Sequence, residues 1–97
     1  MSIKLTHAQL WTLLLASTQD NAVQYGGEDA DNVSIMALRN LVNVGLMECT
    51  VYNGAQVYDL TVEAEEYLID AGYVLGGKLT QSGRDRFIQL GGSYRHG

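Results

Sequence analysis

The chain has 97 residues, a net charge of −5 and an apolar content of 46%, a composition typical of one globular domain with a single core, which argues against disorder throughout. Ten of the eleven acidic residues lie within the first 77 positions, where only Lys4 and Arg39 oppose them. A chain with this acidic balance repels phosphate, so non-specific binding to nucleic acid is disfavoured.

The first predicted element is a helix over about residues 6–17. Thr6 and Gln9 are spaced as in a capping box, and the leucines that follow cover a wide apolar arc. Such an arc predicts either a central place in the core or a contact with a second copy in a homodimer, in which case the dimer helix presents Leu10, Trp11 and Leu14. The apolar run is too short to span a bilayer, so we expect a cytoplasmic chain without a membrane segment.

Residues 19–31 are polar, lack periodicity and contain Gly26-Gly27, so the sequence predicts a loop with at most one helical turn. Asp29 and Asp31 resemble the start of a calcium loop. The twelfth position of that loop is Asn40 rather than a bidentate Glu, which argues against calcium.

A second helix is predicted from a cap at Asn32 or Ser34 to about Val44, with Gly45 as its stop. Apolar side chains cover most of its circumference. The polar strip that remains is narrow and consists of Arg39, Asn40 and Asn43.

A β-hairpin is predicted next, with strands over residues 46–52 and 55–60. Asn53-Gly54 between them suits the left-handed backbone of a type I′ turn. Cys49 is the only cysteine, and its place in a strand predicts a small buried side chain rather than a nucleophile.

Thr61 is predicted to cap a third helix that ends near Ala71 and is stopped by Gly72. Its outer face is acidic, with Glu63, Glu66 and Asp70, and its inner face carries Ala64, Leu68 and Ala71.

A shorter hairpin is predicted over residues 73–79, followed by a last helix from Thr80 to about residue 90. Residues 91–97 are predicted to form a flexible tail. The order of helix, glycine, strand, turn, Leu-Thr and helix therefore occurs twice along the chain.

Residues 41–46 read Leu-Val-Asn-Val-Gly-Leu, Asn53-Gly54 forms a turn, and residues 60–64 read Leu-Thr-Val-Glu-Ala. Over residues 37–68 this pattern resembles the second half of a winged-helix domain of the MarR type. In that family the motif Leu-x-x-x-Gly-Leu ends the recognition helix, and a hairpin called the wing follows. The motif Leu-Thr-x-x-Gly then opens the next helix. Ala64 stands where that family has glycine. A second frame, over residues 68–83, has the glycine but a shorter wing, so the first frame is preferred because its hairpin is long enough to pair.

The resemblance implies an α+β fold, a small winged-helix-like domain over residues 1–90 that is mainly helical with one or two β-hairpins. It also implies a DNA-binding transcriptional regulator. In that alternative Arg39, Asn40 and Asn43 contact base edges and the basic residues near the C-terminus contact phosphates. The predicted wing has no Lys or Arg, and one cation on the recognition helix is few for specific binding.

The function we predict is therefore a non-enzymatic binding module, a small acidic accessory or regulatory protein that acts through protein–protein contacts. The chain has six Tyr and a Trp, residue types that anchor interfaces. No cofactor or metal is predicted, because His7 and His96 lie at opposite ends without neighbours suited to ligation or catalysis. The candidate partner surface comprises Glu63, Glu66, Asp70, Lys78, Arg84 and Arg86.

Overall fold

The computed structural model describes residues 4–28 and 30–91. The helices in this part of the chain are α1 (His7–Ser17), α2 (Ile35–Asn43), α3 (Val62–Asp70) and α4 (Gln81–Gly91). The strands are β1 (Ala22–Tyr25), β2 (Met47–Tyr52), β3 (Ala55–Leu60), β4 (Val74–Leu75) and β5 (Lys78–Leu79). The first three strands form an antiparallel sheet in the order β1-β3-β2, and β4 pairs with β5 in a separate hairpin. The predicted α+β class is confirmed.

Helix α1 lies at the centre of the hydrophobic core. The capping box is present, since Thr6 Oγ1 accepts a hydrogen bond from Gln9 N at 3.1 Å and Gln9 Oε1 accepts one from Thr6 N at 2.9 Å. Leu13 and Leu14 are fully buried, and the helix contacts α2, α4 and three strands. The wide apolar arc thus belongs to the core of the chain itself, which is the first of the two alternatives that the sequence left open.

The loop predicted over residues 19–31 is wrong in its middle, where β1 pairs antiparallel with β3. Asp20 and Asn21 adopt left-handed backbone conformations, with φ of 57° and 65°, and redirect the chain from α1 into this strand. Val23 is the buried residue of β1 and faces the core opposite Tyr58. A strand of four residues with one buried side chain gives too short a pattern to distinguish from a polar loop.

The outer edge of β1 is closed by Asp31. Its backbone N–H donates to Gln24 O at 2.8 Å, and its carboxylate accepts from Gln24 N at 2.9 Å and from Gln19 Nε2 at 3.1 Å. Asp31 therefore occupies the backbone groups of Gln24 that would otherwise be open to another strand.

The predicted hairpin is confirmed, with a register that runs from Met47 opposite Leu60 to Tyr52 opposite Ala55. Asn53 and Gly54 have φ of 51° and 81°, as a type I′ turn requires. Because β3 is central and β2 is at the edge, Met47 is the only buried residue of β2. The predicted burial of Cys49 is wrong, since this edge position leaves the side chain exposed.

The apolar residues of α2 and the predicted inner face of α3 are buried only in part. Helix α2 begins at the cap Ser34, as expected, but its contacts are mainly with α1 and β2. One face is therefore buried, and Met36, Val42 and Val44 are exposed beside the polar strip. Ala71 is exposed as well, because it is the C-cap of α3 and lies beyond the last inward-facing turn.

The repeated Leu-Thr pattern corresponds to a repeated set of hydrogen bonds. Thr61 Oγ1 donates to Gly45 O at 2.7 Å, and Thr80 Oγ1 donates to Gly72 O at 2.6 Å. Each hydroxyl also accepts from the backbone N–H three residues further on, which caps α3 and α4. Gly45 and Gly72 both have positive φ. The repeated order of helix, glycine, strand, turn, Leu-Thr and helix is therefore formed twice, and the two repeats share α3.

Helix α4 packs on α1, with the rings of Phe87 and Trp11 stacked at a centroid distance of 5.6 Å. Its buried face includes Gly83. The predicted flexible tail lies outside the described residues except for Gly91, the last residue of this helix.

Candidate interaction surfaces

The predicted acidic face is present on α3. Glu63, Glu66 and Asp70 are all exposed, while Ala64 and Leu68 on the opposite side are buried in the core. Glu63 lies in the first helical turn, where the positive end of the helix dipole favours a carboxylate. The exposure of these carboxylates also suits an ordinary solvated face.

The predicted basic residues do not form one surface. Lys78 and Arg84 line an open groove of about 550 Å³ together with Asp20 and Asn21 at the end of α1. Arg86 is half-buried on α4 and lies in a different depression, against Tyr73. The six residues of the candidate partner surface are thus divided among at least two regions of the described chain.

Arg84 is held over its groove by two uncharged partners. Its guanidinium donates to Leu79 O at 3.1 Å and to Gln81 Oε1 at 3.1 Å. Arg86 donates to Gln89 Oε1 at 2.6 Å along the same helix. These hydrogen bonds position both side chains without neutralising their charge.

Burial raises the pKa of the Tyr67 hydroxyl above its usual value. The neighbouring Tyr73 acts in the same direction, and the positive charge of Arg86 opposes both. Arg86 is therefore close enough to Tyr67 for its charge to act on this hydroxyl, and as a half-buried residue it is less accessible to a partner than the exposed Arg84.

The predicted DNA-contact residues lie together on the exposed side of α2. Arg39, Asn40 and Asn43 all have exposed side chains. They share this face with Met36, which is 61% exposed, and with Val44, which is 50% exposed. The face is therefore mixed, with apolar groups interspersed among the polar ones.

Strand β2 continues this exposed apolar character onto the sheet. Val51 and Tyr52 are 68% and 69% exposed, and no strand among the described residues pairs with the outer edge of β2. This surface was not predicted from the sequence. The residues of β2 were predicted to form a strand, but its edge position depends on where β1 pairs, and β1 was not predicted.

Tyr58 connects α2 to the hairpin. Burial raises the pKa of its hydroxyl, as does its interaction with Cys49 in the opposite position of β2, while the positive charge of Arg39 lowers it. The hydroxyl donates to Gln56 Oε1 at 2.8 Å. Arg39 on α2 and Cys49 on β2 are both exposed and act on the same buried hydroxyl, and we call the exposed sides of these two elements together the α2–β2 surface.

The candidate dimer helix offers little surface to a second copy. Leu10 and Leu14 are buried in the core, and Trp11 is half-buried against Phe87 and the backbone of Gly91. A homodimer of this fold would therefore have to use another surface.

Within residues 4–28 and 30–91, no group of three or more His, Cys, Asp or Glu side chains is placed to hold a metal ion. In the same ranges, no helix has the length and apolar content needed to cross a membrane. Comparison of the chain with protein-family models, with curated protein sequences and with solved structures finds no match. The function has to be argued from the geometry of the chain itself.

Proposed function

We propose that this chain is a non-enzymatic binding module that acts through protein–protein contacts at the α2–β2 surface. The observation that carries the proposal is the exposure of large apolar side chains on adjoining elements, namely Met36 on α2, Val44 at its C-cap, and Val51 on β2, which shares a face of the sheet with Cys49. Exposed apolar groups that lie together and are bordered by polar residues are typical of a protein interface.

Several features of this surface suit recognition of a protein. Arg39, exposed on α2, belongs to a residue type that often anchors interfaces. The exposed backbone edge of β2 supplies hydrogen-bonding groups that an extended segment can use. The surface thus combines apolar area with directional contacts.

We infer further that the fold is winged-helix-like. An antiparallel β1-β3-β2 sheet that follows α1, with α2 placed before the β2–β3 hairpin, supports this proposal. In that family a helix braces the recognition helix, whereas residues 26–34 of this chain form no helix among the described positions. The brace is replaced by the loop that Asp31 ties to β1.

The second candidate function is a DNA-binding regulator. It is favoured by one observation, the shared exposure of Arg39, Asn40 and Asn43 on α2, since Arg and Asn are suited to guanine and adenine edges. Against it, Glu48 and Asp59 face each other across the hairpin that would approach the phosphates. We rank it below protein binding for this reason.

The proposal is tested by capture of partners with the immobilised full chain, followed by binding of the purified partner in solution. We expect a protein that binds wild type and the control Leu75→Lys, which changes an exposed apolar residue in the β4–β5 hairpin. Binding should fall at least tenfold in Met36→Lys, because a charge then lies within the apolar contact on α2. Equal binding by both variants would overturn the proposed surface.

A gel-shift experiment with mixed-sequence duplex DNA at low ionic strength separates the two candidate functions. We expect no shift, since the surface has one cation and two opposed carboxylates. A shift that Arg39→Ala abolishes and that weakens steeply with salt would replace protein binding by the DNA-binding alternative.

A further inference from the structure

We infer that the open edge of β2 pairs with β2 of a second copy of this chain, antiparallel and about a two-fold axis at Cys49. This inference rests on the proposed function, because it names the partner for the strand half of the α2–β2 surface. The exposed side of α2 stays free in such a dimer for a different protein.

One edge of the three-stranded sheet is blocked by hydrogen bonds, and the other is open. The β1 edge is four residues long and is closed by the hydrogen bonds of Asp31 to Gln24. The β2 edge is six residues long, lies at the other end of the sheet and has no pairing strand in the described parts of the chain. Native proteins block strand edges that must not pair, so an edge left open beside exposed apolar residues indicates a partner.

The hairpin register determines which residues of β2 are available to that partner. In a two-residue hairpin the pair that closes the turn, Tyr52 and Ala55, is hydrogen-bonded, and such pairs alternate along the strands. The backbone groups of Glu48, Thr50 and Tyr52 therefore point towards β3. Those of the alternate residues Met47, Cys49 and Val51 point outwards.

One two-fold register uses all of these outward groups. With Cys49 opposite Cys49 of the other copy, Met47 lies opposite Val51, so every outward-facing residue of one strand meets an outward-facing residue of the other. The same register places Glu48 opposite Thr50 and keeps the two Glu48 carboxylates apart. In this register the outward backbone groups of the strand are satisfied by those of its copy, and no two carboxylates face each other.

The neighbouring registers are poorer. A shift that centres the axis on Thr50 moves Met47 opposite Asn53, which lies in the turn rather than in the strand. A shift that centres it on Glu48 places two carboxylates directly opposite each other, which is destabilising. Cys49 is therefore the expected centre. This self-complementarity is the reason to assign the edge to a second copy rather than to an unrelated strand.

The experiment is sedimentation equilibrium of the full chain over a range of concentrations, with charge variants at the pair formed by Glu48 and Thr50. Thr50→Glu places two like-charged pairs across the dimer, and we expect dimerisation to weaken about 2- to 30-fold. Glu48→Lys combined with Thr50→Glu makes both pairs opposite in charge and should restore it. Ser82→Glu, an equal charge change at an exposed site on α4, should leave it unchanged.

Cys49 reports the register independently, because it is the only cysteine of the chain. In a hydrogen-bonded antiparallel pair the two Cα atoms lie about 5.5 Å apart. A short bis-maleimide should therefore link wild-type chains into a covalent dimer, with a lower yield for Thr50→Glu at the same concentration. Circular dichroism of each variant verifies that the monomer fold is retained.

A chain that stays monomeric at millimolar concentration overturns this inference. If Met36-dependent binding of another protein persists in that case, the proposed function stands while the second copy is excluded as the partner. A dimer that Thr50→Glu does not weaken also overturns the inference, because it must use a different surface.

Discussion

Replacement of Gly83 by Ala tests how α4 is packed against the second hairpin. A Cβ atom at this position would lie 2.1 Å from the backbone oxygen of Tyr73. That oxygen cannot simply move away, because it accepts a hydrogen bond from Thr80 N at 2.9 Å beside the cap of α4. The obstacle is therefore backbone, and either the helix or the hairpin must shift by more than 1 Å to reach ordinary contact.

Two opposing effects set the size of the change in stability. Alanine is favoured over glycine in a helix interior by about 1 kcal/mol. Overpacking of a well-packed site costs about 1–3 kcal/mol and more when backbone must move. The difference is a net loss of up to about 2 kcal/mol of the free energy of unfolding for Gly83→Ala. Thermal unfolding should report this as a decrease in Tm of about 4–8 °C for each kcal/mol in a domain of this size.

Ser82→Ala is the matched control, because Ser82 is the preceding residue of α4 and is exposed. Its effect should stay within about 0.5 kcal/mol. Ala64→Gly is the reciprocal variant at the equivalent position after Thr61, where the alanine is fully buried, and it should lose about 1 kcal/mol or more. If Gly83→Ala raised Tm as an ordinary helix glycine replacement does, the close packing of α4 on Tyr73 would be refuted.

Three further predictions concern the caps, the closed edge and alkaline pH. Thr61→Ala and Thr80→Ala should each lower the free energy of unfolding in urea by about 1–2 kcal/mol, because each hydroxyl makes two hydrogen bonds; the exposed Thr18→Ala should cost less. Asp31→Ala should lower the free energy of unfolding by about 1–2 kcal/mol, because the hydrogen bonds of the carboxylate are lost. It should also increase light scattering by aggregates, since it reopens the β1 edge. Asp31→Asn keeps one acceptor oxygen and should scatter less. Because the pKa of Tyr67 is raised in the folded chain, its hydroxyl keeps its proton above the pH near 10.0 at which an unfolded tyrosine loses it. The free energy of unfolding should therefore fall as the pH rises beyond that value. The fall should be shallower in Tyr67→Phe, and an equal slope would contradict the burial of the hydroxyl.

The elements that the sequence predicted correctly are those with a local chemical signal. Thr6 with Gln9, Asn53-Gly54 and Thr61 each specify a cap or a turn through groups within four residues of one another. Such signals are complete in a short window of sequence. The first helix, the hairpin and the start of α3 therefore followed from the residues alone.

The errors share a different cause, which is dependence on partners far along the chain. Strand β1 exists because it pairs with β3, more than 30 residues later. The exposure of Cys49 follows from the strand order, and that of Met36 from which side of α2 meets α1. Neither is encoded in a local pattern, so the α2–β2 surface could not be located before the sheet was known.

The order of helix, glycine stop, hairpin and capped helix occurs twice in the chain, first from α2 to α3 and then from α3 to α4, and this repetition suggests why interaction should concentrate on the first repeat. Both repeats use the same threonine cap and glycine stop, so the backbone framework does not distinguish them. The two repeats differ in the length of their strands, because β4 and β5 have two residues each while β2 has six. Only a strand of ordinary length offers enough backbone groups for pairing. Since Asp31 closes the β1 edge, β2 is the one described strand with both the length and the access to accept another chain. We therefore expect any pairing with another chain to use β2 rather than the β4–β5 hairpin.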